Sequence, residues 1–162
     1  MTTAICPGSF DPITMGHLDV IIRASRMYDR VVVGVADNKG KKTLFSLEER
    51  AKMVTGALPA ADNIEVRVFD SLLVDFARKN DATVIVRGLR AVSDFEHEFQ
   101  MAQLNRKLNP SIETVFVMAS PEYAYLSSSA VREIAQYGGC VKGLVPPNVE
   151  EQLQRLFRGK EV

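Results

Sequence analysis

The fold of this chain is decided by the stretch Ile5-Cys6-Pro7-Gly8-Ser9-Phe10-Asp11-Pro12-Ile13-Thr14-Met15-Gly16-His17. It continues a short apolar run from Thr3 that is typical of a buried strand. Its prolines and glycines then interrupt regular structure, and the apolar stripe that follows His17 predicts a helix. A helix start offers free N–H groups and a positive dipole end, which suit a phosphate. An ordinary strand-to-helix connection explains this stretch equally well.

Length and composition predict one globular domain that spans residues 1–162. The chain has 162 residues, of which 46% are hydrophobic and 25% charged, which is enough to build a core. Its 20 basic and 20 acidic residues give a formal net charge of zero. Proteins that bind nucleic acid or membrane surfaces are usually basic, so neither partner is expected.

The cysteines and histidines indicate a reducing compartment and argue against a zinc site. Cys6 and Cys140 form no C-x-x-C motif, and the sequence has neither a signal peptide nor an apolar run of about 18 residues. We therefore expect a cytoplasmic protein. The two histidines, His17 and His97, have no neighbouring cysteine or histidine that would complete a zinc site.

Four further segments with strand patterns alternate with helical patterns. The segments 30–36 and 83–86 are almost wholly apolar, as expected for strands buried on both faces of a parallel sheet, and the segment 114–118 is predicted as the fifth strand. The segment 64–69 alternates apolar and polar residues, which favours an edge strand. The alternation predicts an α/β fold: a single Rossmann-like domain with a five-stranded parallel sheet of order 3-2-1-4-5 and helices on both faces.

The predicted strand order brings the polar clusters of the sequence to one rim of the sheet. The connections diverge between strands 1 and 4, and ligands bind there at the carboxyl ends of the strands. The loops at this rim hold His17, Lys41 or Lys42, the segment 87–90, and a triple serine followed by Arg132. These cations and hydroxyl groups suit a polyphosphate better than they suit proton abstraction. The P-loop and G-x-G-x-x-G signatures do not occur in the sequence, which weighs against two common nucleotide-binding classes.

Two short motifs resemble the T/HxGH and ISSTxxR signatures of the nucleotidyltransferase superfamily. They read Thr14-Met15-Gly16-His17 and Leu126-Ser127-Ser128-Ser129-Ala130-Val131-Arg132. The resemblance narrows to the bacterial phosphopantetheine adenylyltransferase family, and it extends in order along essentially the whole chain. Its further elements are the segments 7–12, 43–50, 87–90 and 94–96.

The resemblance implies an enzyme that transfers the adenylyl group of ATP to 4′-phosphopantetheine, the penultimate step of coenzyme A biosynthesis. The products are 3′-dephospho-coenzyme A and pyrophosphate, and we expect direct in-line attack without a covalent enzyme intermediate. The implied cofactor is Mg²⁺, held mainly by ATP phosphates and water rather than by protein ligands. The resemblance further implies a cytoplasmic homohexamer, a dimer of trimers, which coenzyme A inhibits by feedback.

The resemblance also implies a role for each matching residue. The catalytic set is His17, which donates to the ATP phosphates, with Lys41 and Ser9, which hold the attacking phosphate. The phosphopantetheine side consists of Ser9, Lys41, Leu73 and Arg87. The ATP side is a larger set that consists of Ser9, Phe10, His17, Gly88, Leu89, Arg90, Glu98, Tyr123, Ala124, Tyr125, Leu126, Ser127, Ser128 and Ser129.

Some residues keep a purely structural alternative. Lys42 competes with Lys41 for the role at the reacting phosphates, and Arg90 is well spaced to pair with Asp94 on the following helix. The triple serine is also a good helix N-cap. The segment 93–108 predicts a long helix whose apolar residues at 95 and 99 belong either to the core or to an oligomer interface.

Two rival functions also fit the rim of donors. The first is another small nucleotidyltransferase, with nicotinamide mononucleotide or glycerol 3-phosphate as acceptor. The second is a module that binds ATP without catalysis. A binding module has no need of a group at the α-phosphate, so the presence of His17 together with Lys41 and Arg87 favours an enzyme.

Overall fold

The computed structural model describes residues 1–158, apart from the side chains at 92 and 93. Strands and helices alternate along the chain, and a short 3-10 turn at Pro121–Tyr123 follows the last strand. The strands are β1 (Thr3–Gly8), β2 (Arg30–Ala36), β3 (Ile64–Phe69), β4 (Val84–Leu89) and β5 (Glu113–Met118). The helices are α1 (Met15–Met27), α2 (Leu47–Ala57), α3 (Leu73–Lys79), α4 (Val92–Leu108), α5 (Ser128–Gln136) and α6 (Pro147–Phe157).

The five strands form one parallel sheet in the order β3-β2-β1-β4-β5, as predicted. β1 pairs with β2 along its whole length, from Thr3 opposite Arg30 to Gly8 opposite Val35. It pairs with β4 only at Ala4 and Ile5. The carboxyl ends of β1 and β4 therefore separate, and this gap in the sheet opens the crevice expected at the point where the connections diverge.

Each face of the sheet carries its own hydrophobic core, because successive side chains of a strand point to opposite faces. Ala4 and Cys6 of β1 pack into the larger core, which also takes buried residues of α1, α2, α5 and α6. Ile5 packs into the smaller core with the α3 residues Val74 and Phe76. The helices thus cover both faces of the sheet.

The sequence predicts one helix from His17, one capped by Asp70 or Ser71 and one from about Ala130, and the structure begins each of these helices differently. α1 begins at Met15 rather than His17, because the Thr14 side chain caps it. α3 has Leu72 as its N-cap without a side-chain hydrogen bond, so the expected cap by Asp70 or Ser71 is wrong. α5 begins at Ser128, since Ser127 accepts a hydrogen bond from the amide of Ala130.

The apolar side of α4 is not core. The side chains of Phe95 and Phe99 are 45% and 50% exposed, and Phe95 lies 6.4 Å from Phe116 of β5 between ring centroids. α4 thus lies against the edge strand β5 and leaves about half of each of these two rings exposed. Within residues 1–158 no helix is long and apolar enough to span a membrane.

Candidate functional site

A cleft of about 440 Å³ opens where β1 and β4 separate. Its walls come from the strand ends, the loops after β1, β2 and β4, the start of α4, and the β5–α5 connection. Most of the predicted site residues line it: Ser9, Phe10, His17, Lys41, Arg87, Gly88, Arg90, Glu98, Tyr123, Leu126, Ser127, Ser128 and Ser129. The crossover of the sheet therefore brings together residues that lie far apart in the sequence.

The imidazole of His17 is fixed by the first turn of α1. The backbone amide of Thr14 donates to its Nδ1 atom at 3.0 Å, while the Thr14 hydroxyl accepts from the His17 amide at 3.3 Å. This reciprocal arrangement is a capping box. Because Nδ1 accepts a hydrogen bond, the ring proton of the neutral imidazole lies on Nε2, the atom that remains to donate.

His17 is neutral at physiological pH. Burial, and to a smaller extent the positive charges of Arg87 and Arg90, lowers the pKa of its imidazole from 6.5 to about 4. The ring of Phe10 packs edge-on against it, with ring centroids 5.2 Å apart. The site therefore holds an uncharged N–H donor among cations.

This pKa predicts a loss of stability in mild acid. The pKa of His17 in the folded state lies below its value in the unfolded state. Between pH 6.5 and about 4 the imidazole is therefore protonated in the unfolded chain and neutral in the folded chain. Stability is fully present above pH 6.5 and falls as the pH drops through this window. We expect a loss of about 1–2 kcal/mol between pH 8 and pH 5 from this group.

Urea unfolding of the wild-type protein and of His17→Gln at the two pH values measures this contribution. Glutamine does not titrate, so the variant lacks the part of the pH dependence that comes from His17. An equal loss of unfolding free energy in both proteins contradicts the predicted pKa.

Arg87 bridges the gap between β1 and β4. Its guanidinium forms a two-point ion pair with Glu98 of α4, at 2.7 and 2.8 Å, and donates to the carbonyl of Pro7 at 2.9 Å. Glu98 is the more buried of the two, with 12% of its side chain exposed. Its contacts make Glu98 the group that orients Arg87.

Arg90 forms the pairing left open by the sequence. It holds Asp94 through two hydrogen bonds of 2.9 and 3.2 Å and donates to the carbonyl of Leu126 at 2.7 Å. The last bond ties the β4–α4 loop to the β5–α5 connection across the cleft. Arg90 and Asp94 both line the cleft, so the pairing is part of its wall.

The lysine loop, residues 37–45 between β2 and α2, contains Lys41 and Lys42, the two candidates for the role at the reacting phosphates. The structure distinguishes between them. Lys41 lines the main cleft and also a second, shallower cavity beside β3, whereas Lys42 lines neither. In the same loop the Asn38 amide donates to the Ser9 hydroxyl at 3.2 Å. This bond occupies an acceptor position on Ser9 and leaves its hydroxyl hydrogen to donate. Sequence reasoning missed Asn38, because an asparagine in a polar loop carries no distinguishing signal.

Asp11 is a second residue missed by sequence reasoning. It is 3% exposed, and its carboxylate accepts from the amides of Leu44 at 2.8 Å and Phe45 at 3.0 Å. Arg132 donates to the Asp11 carbonyl at 2.5 Å and lies 3.7 Å from its carboxylate. An acidic residue between prolines in an otherwise apolar stretch was the available signal.

The three serines at 127–129 make different contacts. Ser127 caps α5, and the Ser128 hydroxyl donates to the Pro12 carbonyl at 2.7 Å. Ser129 is exposed and lines the cleft. The motif therefore caps a helix and also contributes to the cleft wall, since the three serines lie at the start of α5.

Four predicted residues lie outside the main cleft. Leu73 lines a smaller cavity of about 160 Å³ that also has Arg87 and Glu98 in its wall. Leu89 is buried, while Ala124 and Tyr125 do not reach the cleft wall, and Tyr125 is 73% exposed. His97, which the sequence marks as a surface residue, is exposed and lines the cleft.

Comparison with known families gives one match over most of the chain. Residues 5–134 match the family described as Cytidylyltransferase-like. A phosphopantetheine adenylyltransferase of Clostridium tetani is 55% identical over 160 residues, which cover 99% of this chain and 100% of that protein. The enzyme of the same name from Moorella thermoacetica is 56% identical over 157 residues and 97% of this chain, 98% of its own.

Solved structures resemble the fold at low sequence identity. A bifunctional NMN adenylyltransferase/ADP ribose pyrophosphatase of Francisella tularensis, complexed with AMP and a Mn ion, superposes with a TM-score of 0.70 at 17% identity. The match covers 98% of this chain and 50% of that chain. A lipopolysaccharide core biosynthesis protein of Thermoplasma volcanium gives a TM-score of 0.53 at 20% identity, over 74% of this chain and 97% of its own.

Proposed function

We infer that this chain, which belongs to the phosphopantetheine adenylyltransferase family of the cytidylyltransferase-like proteins, transfers the adenylyl group of ATP to 4′-phosphopantetheine. The products are 3′-dephospho-coenzyme A and pyrophosphate. The observation that carries this function is the full-length identity of 55% and 56% with two enzymes of that name. The cleft agrees with it, since it collects cations and hydroxyl donors from four loops around one crevice.

The nucleophile in this reaction is a phosphate oxygen of the acceptor. Its second pKa is about 6, so the oxygen is ionised near neutral pH and no general base is needed. We propose direct in-line attack on the α-phosphorus of ATP, in which the new P–O bond forms as pyrophosphate leaves. Burial raises the pKa of the Cys6 thiol, which lines the cleft, to about 12. This thiol is protonated and is no competing nucleophile.

His17 stabilises the charge that develops on the α-phosphate. The bond from Thr14 to Nδ1 leaves Nε2–H as the donor, and the low pKa keeps the ring neutral. A neutral donor held by the helix start needs no reorganisation when charge develops on the phosphate. The amino ends of α1 and α5 supply further N–H groups to the same cleft.

Ser9 and Lys41 hold the attacking phosphate in line. Support for this role comes from the position of Lys41 in the cleft wall and from the free hydroxyl hydrogen of Ser9. Arg87 and Leu73 complete the phosphopantetheine side, since the smaller cavity at Leu73 also has Arg87 in its wall. The ATP side then consists of Ser9, Phe10, His17, Gly88, Leu89, Arg90, Glu98 and the segment 123–129. Glu98 of the ATP side forms a two-point ion pair with Arg87 of the phosphopantetheine side, so this pair joins the two sides.

Mg²⁺ enters this proposal as a companion of ATP. Among the described residues no group of three or more His, Cys, Asp or Glu side chains is placed to hold a metal ion. The carboxylates in the cleft wall, Asp11, Asp94 and Glu98, are each paired with an arginine. This donor set suits a metal ion coordinated by phosphate oxygens and water, which neutralises the β- and γ-phosphates.

An acceptor comparison tests the function. The protein is incubated with ATP and Mg²⁺ and with 4′-phosphopantetheine, nicotinamide mononucleotide or glycerol 3-phosphate in turn, and adenylylated product and pyrophosphate are measured. We expect dephospho-coenzyme A to form faster than either alternative product. Preference for another acceptor assigns a different nucleotidyltransferase, and ATP binding without turnover assigns a sensing module.

We further propose that the chain is a single nucleotidyltransferase domain that assembles as a hexamer in the cytoplasm and that coenzyme A inhibits. The neighbouring rings of Phe95 and Phe99 on α4, 5.8 Å apart and both about half exposed, support assembly, because exposed apolar surface of this kind marks an interface. Cys6 and Cys140 are both free thiols, which favours a reducing compartment. Sedimentation equilibrium and inhibition by added coenzyme A test the first and the last of these proposals.

A further inference from the structure

Arg50 is a buried arginine that the proposed reaction does not use. It lies one turn into α2, and it is 2% exposed. Its Nη1 atom donates to the carbonyls of Ser9 at 2.6 Å and Ala36 at 2.9 Å, and its Nε atom donates to the carbonyl of Phe45 at 3.2 Å. No carboxylate in the described part of the chain forms an ion pair with it. Its charge is therefore satisfied by main-chain oxygens alone.

These three carbonyls belong to the two loops that carry the acceptor-binding residues. Ser9 is in the loop after β1, Ala36 ends β2 where the lysine loop begins, and Phe45 closes the lysine loop before α2. A side chain in a helix points back toward the amino end, so a guanidinium at position 50 reaches all three. Arg50 therefore fixes both ends of the lysine loop to the loop of Ser9.

Asp11 connects the same two loops through hydrogen bonds that it accepts rather than donates. Its carboxylate, in the first loop, accepts from the amides of Leu44 and Phe45 in the second. Arg50 thus donates to carbonyls of both loops while Asp11 accepts from amides of the lysine loop. Together they set the spacing between Ser9 and Lys41, two residues whose own side chains lie in the cleft wall.

We propose that Arg50 is a positioning residue for the acceptor phosphate, acting through the spacing of Ser9 and Lys41. This inference rests on the proposed function, in which those two side chains hold that phosphate. Arg50 lies below the loops and does not line the cleft. Its effect is expected to be larger on the acceptor side, because the ATP-side loops after β4 and β5 have no hydrogen bond to Arg50 among the described residues, and only the loop of Ser9 serves both substrates.

The test compares Arg50→Met and Arg50→Lys with a matched control, Arg30→Met. Arg30 also donates to a main-chain carbonyl, that of Asn80, but it lies at the opposite end of β2. We expect Arg50→Met to lower kcat/KM for phosphopantetheine by about ten- to hundredfold, since small displacements of positioning groups have effects of this size. The Kd of ATP stays within about threefold of the wild-type value, Arg50→Lys is intermediate, and Arg30→Met changes stability only.

Hydrogen exchange gives a readout that does not depend on turnover. In Arg50→Met the amides of Leu44 and Phe45 should exchange at least about tenfold faster, whereas those of Val33 and Val35 in β2 change less. If the wild-type protein makes no dephospho-coenzyme A, the proposed function fails. The hydrogen-exchange rates then show by themselves whether Arg50 holds the lysine loop to the loop of Ser9.

Two results overturn the inference. One is wild-type kcat/KM and wild-type exchange in a folded Arg50→Met protein. The other is an ATP affinity that falls as far as kcat/KM for phosphopantetheine, because that pattern indicates general loosening. If Arg50→Met does not fold, Arg50→Lys decides by the same measurements.

Discussion

His17→Ala is expected to lower kcat by about 10²–10³-fold, equivalent to about 3–4 kcal/mol of barrier, while the Kd of ATP changes much less. The lost group is a neutral Nε2–H donor, which in the proposed mechanism acts on charge that develops in the transition state, so substrate binding should depend on it weakly. Single-turnover kinetics with saturating ATP, together with calorimetric ATP binding, separate the two quantities. Wild-type kcat in this variant contradicts the role.

A second variant separates catalysis from helix capping. Alanine at position 17 also removes the partner of the Thr14 amide, which costs about 1 kcal/mol of stability. Glutamine at the third helical position restores a capping box, because its side-chain oxygen accepts from the N-cap amide. His17→Gln should therefore regain the stability lost in His17→Ala, and its remaining deficit in kcat measures the contribution of the imidazole donor itself.

Lys41→Ala is expected to reduce kcat/KM for phosphopantetheine by about 10²-fold or more, because it removes the cation that we propose positions the attacking phosphate. Lys42→Ala should stay close to wild type, since only Lys41 of these two neighbours lines the cleft. Steady-state kinetics with phosphopantetheine as the varied substrate measures the effect.

Lys39→Ala is the matched control for the lysine loop. Lys39 is 76% exposed in its side chain and lies 3.7 Å from Asp70, on the outer side of the same loop. The substitution removes one positive charge from the loop without changing the cleft wall. Any loss of kcat/KM in this variant therefore measures the effect of the overall positive charge of the loop. A larger loss in Lys42→Ala than in Lys41→Ala transfers the positioning role to Lys42.

Local pattern determined much of the fold and part of the site. The apolar runs at 30–36 and 83–86 and the alternation at 64–69 report how many faces of a strand are buried, which fixes whether it is central or at an edge. Strand order then places the loops of His17, Lys41 and Arg87 around one crevice. The resemblance to a family identified those same residues by their short motifs.

The same patterns failed where burial depends on a distant partner. Phe95 and Phe99 have the residue type of a core, yet about half of each side chain is exposed on α4. Arg50 has the residue type of a surface, yet it is buried. One signal for Arg50 was available, because it precedes the buried Val54 by one helical turn and so lies on the inner face of α2.

By itself the sequence therefore determined the order of elements, the central strands β2 and β4 and the edge strand β3, since these follow from the local periodicity of apolar residues. Only the tertiary structure decided how the loop of Pro7–His17 is held. Its partners Arg50, Arg87 and Arg132 are 41, 80 and 121 residues from the atoms they bind. Hydrogen bonds over such separations exist only after the sheet has formed, because the sheet alone brings those carbonyls and guanidinium groups within reach.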